Sequence, residues 1–188
     1  MSKSSLKKLE IPALVLSAQE GNVKALEELI RRVQKQVFAL FSHLTNKKED
    51  ISDLTQEALL KMAKNISRLK DPKNFKSWLN QIITNLYYDH ARKKNESFVE
   101  LDENMLDEIK EKLGCDPGEK CIFSEIEKLI RASLLALPKD LRITLILREF
   151  EGLSYNDIAN ITNTAIGTVK SRISRARLKL QNDLKEFI

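Results

Sequence analysis

Apolar residues recur every three or four positions along most of this chain, which is the spacing of one buried face of an α-helix. The stretch "ALEELIRRVQKQVFALFSHL" shows it well, with Leu29, Val33, Val37 and Leu40 in one stripe. Glycine and proline are scarce, five and four among 188 residues, so many short strands and turns are not expected. The pattern predicts an all-α protein with helices over 25–44, 47–69, 74–95, 122–137 and 138–150.

The C-terminal part adds a short helix, a tight turn and a longer helix. "LSYNDIANIT" opens with Ser154 and carries Asp157 three residues later, a pair typical of a helix N-terminus. The break "NTAI" (163–166) then leads into a helix over 167–184. This order is that of a helix-turn-helix, whose second helix enters the major groove of DNA.

The stretch "GTVKSRISRARLKL" divides this last helix into faces. The apolar stripe, which should face the core, consists of Val169, Ile173, Ala176 and Leu180. A second face can meet base edges and holds Lys170, Ser171, Ser174 and Arg175. The cations better placed for phosphates are Arg172, Arg177 and Lys179. A solvated basic helix face is the alternative, and the preceding short helix and turn favour DNA binding over it.

Charge is distributed unevenly along the chain. Lys and Arg number 32 against 27 Asp and Glu, a net charge of +5, but residues 95–124 hold nine acids and three lysines. Two basic bodies thus flank an acidic connector, and basic bodies suit a polyanionic partner. We accordingly predict two small helical domains, 1–95 and 122–188, joined by a flexible acidic linker at 96–121 with at most a short helix near 103–112.

The motifs give no support for catalysis. The chain has no phosphate-binding glycine loop, no His-Glu metal motif and no nucleophile elbow, so neither an enzyme nor a cofactor is expected. Cys115 and Cys121 have no histidine near them in sequence, which argues against a metal site. No apolar run reaches the roughly 18 residues of a membrane helix. Because charges also interrupt any secretory signal, we expect a cytoplasmic protein without a small-molecule substrate.

Two stretches of the first half leave structural and functional roles open. "NFKSWLNQIITNLYYDHARKKN" mixes aromatic residues, amides and a basic end, as surfaces for unpaired nucleic acid do. Phe75 and Trp78 are nevertheless expected in the core, and Tyr87 and Tyr88 cannot both face inward. The acidic and amide residues of "SDLTQEALLKM" are, taken alone, a solvated helix face.

A resemblance to a known family rests on "DLTQEALLKM", "FKSWLNQIITNLYYDHARKK" and the dense stretch "LPKDLRITLILREFEGLSYNDIANITNTAIGTVKSRISRARLKL". Together they resemble bacterial sigma factors of the extracytoplasmic-function group, over about residues 20–94 and 122–184. The resemblance implies a subunit that binds core RNA polymerase, at its clamp helices and flap, and directs initiation at particular promoters. The first domain would read and melt the minus-ten element, and the second would read the minus-thirty-five element as duplex. An anti-sigma factor would be a further partner.

The resemblance also implies roles for individual residues. The polymerase-binding helix would present Asp53, Gln56 and Glu57. A pocket for a base flipped from the minus-ten strand would be lined by Asn65, Leu69, Ile82 and Asn85, and the nearby DNA backbone would meet Arg92, Lys93 and Lys94. Minus-thirty-five DNA would be contacted by Lys170, Ser171, Arg172, Ser174, Arg175, Arg177 and Lys179. Ser174 and Asn65 depart from the family pattern, which has a bulky apolar residue and a small residue at these positions.

Other interpretations stay open at this point. A helix-turn-helix regulator that binds DNA alone would explain residues 138–184 and leave 50–94 without a role. A sigma-like mimic that titrates an anti-sigma protein could dispense with base-reading residues such as Asn85, Lys170 and Arg175, all of which are present. An enzyme has no supporting constellation.

Overall fold

Helices make up all the regular structure in the described part of the chain. The computed structural model describes residues 6, 8–93 and 119–185. Its α-helices are α1 (Ile11–Gln19), α2 (Val23–Leu44), α3 (Lys48–Asn65), α4 (Phe75–Lys93), α5 (Glu119–Ala136), α6 (Lys139–Glu149), α7 (Tyr155–Thr162) and α8 (Ile166–Leu184). Short 3₁₀ turns at Ile66–Arg68 and Pro72–Asn74 lie between α3 and α4. The all-α prediction is confirmed.

The chain forms two compact units, residues 1–90 and 91–188, which we call the N-terminal and C-terminal units. Helix α5 begins three residues before the predicted start at 122, and the rest of the predicted linker, with its short helix near 103–112, lies outside the described residues. Within the described ranges, no helix is long and apolar enough to cross a membrane. The same ranges contain no group of three or more His, Cys, Asp and Glu side chains that could hold a metal ion.

The N-terminal unit is built around the predicted apolar stripe of α2. Leu29, Val33, Val37 and Leu40 are all buried there. The helix begins where the sequence indicates a break: Gly21 has a φ of 86°, a left-handed value that favours glycine. The Asn22 side chain then caps α2 by accepting a hydrogen bond from a backbone N–H of its first turn.

Helix α3 is shorter than its apolar pattern predicts. Gln19 of α1 donates from Nε2 to the carbonyl oxygens of Ile66 and Leu69, at 2.9 and 2.7 Å. Those carbonyls belong to the 3₁₀ turn and to the residue after it. In a continued α-helix, backbone N–H groups further along the helix would donate to them; here the Gln19 side chain of α1 donates instead. The contact spans 47 and 50 residues of sequence, so a local pattern cannot indicate it.

Glu28 holds Arg32, and Arg32 joins α2 to the segment before α1. Its carboxylate accepts from Nε and Nη2 of Arg31, at 2.8 and 2.7 Å, and from Nε of Arg32 at 2.9 Å. Arg32 also donates to the carbonyl oxygens of Leu9 and Leu6, at 2.6 and 3.1 Å. Hydrogen bonds from Arg31, and then from Arg32, lower the pKa of Glu28 to about 2.

Replacing Glu28 by glutamine is expected to destabilise the N-terminal unit and to flatten its stability against pH. Because the folded state lowers this pKa, the carboxylate stabilises fully above the ordinary glutamate pKa of about 4.3. That contribution is lost as the pH falls toward about 2. Urea unfolding followed by Trp78 fluorescence at several acidic pH values measures the effect, with the exposed neighbour Glu27→Gln as the control. Equal pH slopes for the wild type and Glu28→Gln would contradict it.

The helix ends of the C-terminal unit follow its sequence closely. The predicted cap of α7 is confirmed: the N–H of Asp157 donates to Ser154 Oγ at 3.1 Å, and the N–H of Ser154 donates to Asp157 Oδ2 at 3.3 Å. Gly152, between α6 and α7, has a φ of 63°, and Asn163, after α7, has a φ of 50°. The break before α8 is one residue shorter than predicted, because Ile166 is already helical.

Arg142 forms the corner between α5 and α6. The side chain is buried at 3% exposure. Its Nη2 donates to the carbonyl oxygen of Leu135, and to that of Leu137 at 2.9 Å. Both carbonyls lie at the end of α5, where a helix has no N–H groups left to offer them. A buried cation on α6 therefore terminates α5 and holds the two helices together.

Candidate nucleic-acid interface

Helix α8 carries the core stripe that its sequence predicts. Val169 and Ala176 are 0% exposed and Ile173 is 2% exposed. Leu180, the fourth predicted member, is half-buried, because the stripe approaches the end of the helix there. The buried side fixes which residues of α8 can point away from the unit.

The four predicted base-facing residues of α8, Lys170, Ser171, Ser174 and Arg175, are all exposed. Two of them are in contact: Arg175 donates from Nε to the carbonyl oxygen of Ser171 at 3.3 Å and from Nη2 to Ser171 Oγ at 3.4 Å. Both bonds are long and open to solvent, so little free energy is needed to exchange them for a base edge. The structure thus brings these residues together on one accessible face.

The three predicted phosphate contacts of α8 are engaged within the C-terminal unit. Arg172 Nη2 lies 3.1 Å from Asp140 Oδ2, and its side chain is only 17% exposed. Arg177 donates to Glu149 Oε1 from Nε at 3.1 Å and from Nη2 at 2.5 Å, which raises the pKa of its guanidinium further. Lys179 Nζ lies 3.5 Å from the carbonyl oxygen of Ala136. These residues flank the base-facing residues, and Arg177 and Lys179 remain exposed.

In the N-terminal unit, three residues of α4 share an outer face. Trp78, Ile82 and Asn85 follow at i, i+4 and i+7, with Trp78 and Ile82 half-buried and Asn85 exposed. Asn85 Oδ1 accepts from Gln81 Nε2 at 3.3 Å. The expectation that Trp78 belongs to the core is therefore only half right: Phe75 is buried, whereas Trp78 packs against it at 6.0 Å and keeps a solvent-facing side. The i, i+4, i+7 spacing of Trp78, Ile82 and Asn85 is the sequence signal that places these three residues on one face.

The other minus-ten candidates are placed less uniformly. Asn65, the last residue of α3, is half-buried, and its Nδ2 donates to the carbonyl oxygen of Lys61 at 2.9 Å. Leu69 is 8% exposed and so belongs mainly to the core, which leaves little of its side chain for a base. Arg92 and Lys93 are exposed at the end of α4, and Lys94 lies outside the described residues.

The predicted polymerase-binding residues lie on the outer side of α3. Asp53, Gln56 and Glu57 are all exposed, and Glu57 forms an ion pair with Lys61 at 3.1 Å. Gln56 also lines a shallow cleft between α2 and α3, together with Phe38. Phe38 is 50% exposed. An aromatic side chain this exposed beside a charged face is a feature of protein-binding surfaces. Phe38 was not among the predicted site residues.

The C-terminal unit has the arrangement of a DNA-binding helix-turn-helix protein. Helix α7 is short, Asn163 makes the turn, and α8 presents a basic, exposed side opposite a buried stripe. The geometry therefore defines a class of protein that recognises nucleic acid.

Comparison with known proteins identifies the family. The sequence pattern of Sigma-70 region 2 matches residues 29–97, and that of Sigma-70, region 4 matches residues 127–180. The chain is 33% identical to the ECF RNA polymerase sigma-E factor of Haemophilus influenzae, over 94% of this chain and 96% of that protein. It is 31% identical to the Escherichia coli K12 sigma-E factor, over 93% and 94% of the two chains.

Solved structures agree with this assignment. A sigma factor RpoE in complex with the anti-sigma factor NepR, from Bartonella quintana, is 28% identical with a TM-score of 0.67, covering 88% of this chain and 99% of that one. CnrH, in complex with the cytosolic domain of CnrY, has the same fold at 20% identity and a TM-score of 0.67, covering 95% and 99% of the two chains. The chain belongs to the extracytoplasmic-function sigma factors, which direct promoter-specific transcription initiation by RNA polymerase.

Proposed function

We propose that the two units read two separate promoter elements while both are held on core RNA polymerase. The N-terminal unit, within which most of the region 2 match lies, reads and melts the minus-ten element. The C-terminal unit, which contains the region 4 match, reads the minus-thirty-five element through α8. The observation that carries the proposal is the exposed face of Lys170, Ser171, Ser174 and Arg175, opposite a stripe whose first three members are buried. Two weak contacts joined in one complex act at a high effective concentration.

The outer face of α4 supplies the minus-ten contacts. A base flipped out of the duplex loses a few kcal/mol of stacking, which contacts in its pocket must offset. Trp78 and Ile82 offer half-exposed apolar surface, and Asn85 offers an amide that both donates and accepts hydrogen bonds. Asn65 contributes polar surface at the end of α3, whereas Leu69 supports the site from the core.

Replacing Asn85 by alanine is expected to slow open-complex formation about 10- to 100-fold, because a side-chain-to-base contact of this kind contributes about 1–3 kcal/mol. The loss should be confined to promoters with the preferred base at the flipped position. Fluorescence of a probe at the melted strand measures the rate, with the exposed amide Asn46→Ala as the control. The same loss on promoters of every minus-ten sequence would contradict base reading by Asn85.

The polymerase contact lies on α3 and the neighbouring part of α2. Asp53, Gln56 and Glu57 form an exposed polar face suited to the clamp helices, and Phe38 adds an apolar anchor beside it. The flap contact belongs to the C-terminal unit, through α6. The relative RpoE, solved in complex with the anti-sigma factor NepR, supports an anti-sigma factor as a further partner. Such a protein acts in the cytoplasm without a cofactor or a catalytic step of its own.

In vitro transcription with core polymerase over a genomic fragment library tests the function as a whole. The expected result is initiation at a limited set of sites that share an upstream and a downstream element. Gel shifts of the free protein on the same fragments provide the comparison. Tight, sequence-specific binding without polymerase, together with no transcription in its presence, would instead support a helix-turn-helix regulator.

A further inference from the structure

Two arginines on opposite flanks of α8 are each held by a carboxylate of α6. We infer that Arg172 and Arg177 are positioning residues, which set the rotation of the recognition helix, rather than ligands of DNA phosphates. Asp140 and Glu149 share this role as their partners. The inference rests on the proposed function, because it concerns how α8 is presented to the minus-thirty-five element.

The placement of the two pairs suits this role. Arg172 and Arg177 are five residues apart, which puts them about 140° apart around the helix axis, one on each side of the buried stripe. Their partners lie at opposite ends of α6: Asp140 is in its first turn and Glu149 is its last residue. An attachment on each flank resists rotation of α8 about its own axis, which the buried stripe alone would resist less.

Each arginine has its anion-binding groups engaged by a carboxylate, although the Arg177 side chain remains 55% exposed. The side chain of Arg172 is only 17% exposed and its Nη2 is bound to Asp140. Arg177 directs Nε and Nη2 toward a single oxygen of Glu149, which occupies one of the two edges through which a guanidinium can grip an anion bidentately. A phosphate at Arg177 would also approach the Glu149 carboxylate, and like charges repel.

Glu149 is also unfavourably placed for the stability of its own helix. A carboxylate in the last turn of a helix opposes the helix dipole, and Glu149 ends α6. Its position is accounted for by the contact with Arg177, 28 residues further along the chain. Of the three predicted phosphate contacts, Lys179 keeps that role, because it is exposed and its Nζ faces a backbone carbonyl oxygen rather than a carboxylate.

Charge-swap variants separate positioning from phosphate binding. In Glu149→Arg/Arg177→Glu and Asp140→Arg/Arg172→Asp, the pair is retained and the net charge is unchanged, but the cation moves from α8 to α6. The full chain, assembled with core polymerase, is titrated with duplex promoter DNA at several salt concentrations. The single variants Arg177→Glu and Arg172→Asp are expected to lose about tenfold or more in affinity and to discriminate less between an intact and a mutated minus-thirty-five element.

If the arginines position α8, each swap restores affinity to within about threefold and restores discrimination, with an unchanged slope of log affinity against log salt. If they bind phosphates, the swaps stay weak and the slope falls by about one, as it should for the control Lys179→Ala. That second result would overturn the inference.

Thermal unfolding of each charge-swap variant measures whether it folds. A single substitution provides a second test, which does not depend on the stability of the swaps. Glu149→Gln releases Arg177 without adding a charge opposite it. Positioning predicts weaker binding and lower discrimination, whereas a phosphate ligand freed from a competing carboxylate would bind DNA more tightly and steepen the salt slope. A wild-type holoenzyme without any promoter preference would overturn the proposed function itself. A selective wild type whose swaps remain weak would overturn only the positioning role.

Discussion

Replacing Arg142 by alanine is expected to lower the free energy of unfolding of the C-terminal unit by about 3 kcal/mol. The substitution leaves the carbonyl oxygens of Leu135 and Leu137 without this buried donor, and each buried group left unpaired costs about 1–3 kcal/mol. It also removes a side chain that is 3% exposed. Few single changes on the surface of the protein should approach this effect.

Hydrogen exchange of the α5 and α6 amides, measured by mass spectrometry on the full chain, reports this local stability. Arg142→Met restores most of the volume without the donors, so it separates packing from hydrogen bonding. Lys128→Ala, an exposed position on α5, should change the stability by less than about 0.5 kcal/mol. A loss below about 1 kcal/mol in Arg142→Ala would show that solvent replaces the guanidinium at this corner.

Replacing Arg175 by alanine is expected to reduce binding about 10- to 100-fold on the cognate minus-thirty-five element, and much less on elements already changed at the base pair that Arg175 reads. An arginine that grips guanine bidentately contributes about 1–3 kcal/mol of discrimination. The Arg175 guanidinium rests on Ser171 through two long, exposed bonds, so it is available to the groove. Holoenzyme binding to a set of single-base-pair variants of the element measures the pattern.

The comparison that makes this prediction specific is Lys179→Ala. Because a phosphate contact carries no sequence information, this variant should weaken all elements alike and reduce the salt dependence. An equal loss on every element in Arg175→Ala would show that the division of α8 into a base-facing side and its flanks is wrong.

The parts of the fold that depend on neighbouring residues could be predicted from the sequence. The cap of α7 needs only Ser154 and Asp157, three residues apart, and the core stripe of α8 needs only helical spacing. In both cases the sequence signal lies within a few turns of one helix, although the stripe is stabilised by burial against other helices. The all-α class and the helix-turn-helix followed from such local signals.

Features that depend on distant contacts could not be predicted. The early end of α3 follows from Gln19, which is 47 residues from its first acceptor. The pairing of Arg172 with Asp140 spans 32 residues, and sequence alone shows only a basic helix and an acid elsewhere. The partial exposure of Trp78 could not be predicted either. The residues that pack beside an aromatic ring decide which side of it stays exposed to solvent.

The two candidate DNA surfaces belong to different units, and we propose that each reads its own promoter element. The outer face of α4 contains a half-buried indole and an exposed amide, suited to an unpaired base. The exposed face of α8 contains two cations and two hydroxyl groups, suited to a duplex groove. We therefore propose that the surface on α4 binds melted promoter DNA and the surface on α8 binds duplex.

Mapping of transcription starts over a randomised promoter library, with wild-type, Asn85→Ala and Arg175→Ala holoenzymes, tests this division of labour most directly. We expect Asn85→Ala to relax preference only in the downstream element and Arg175→Ala to relax preference only in the upstream element. The spacing between the two elements should stay the same in all three. A change of both elements by either substitution, or of neither, would contradict the assignment of one element to each unit.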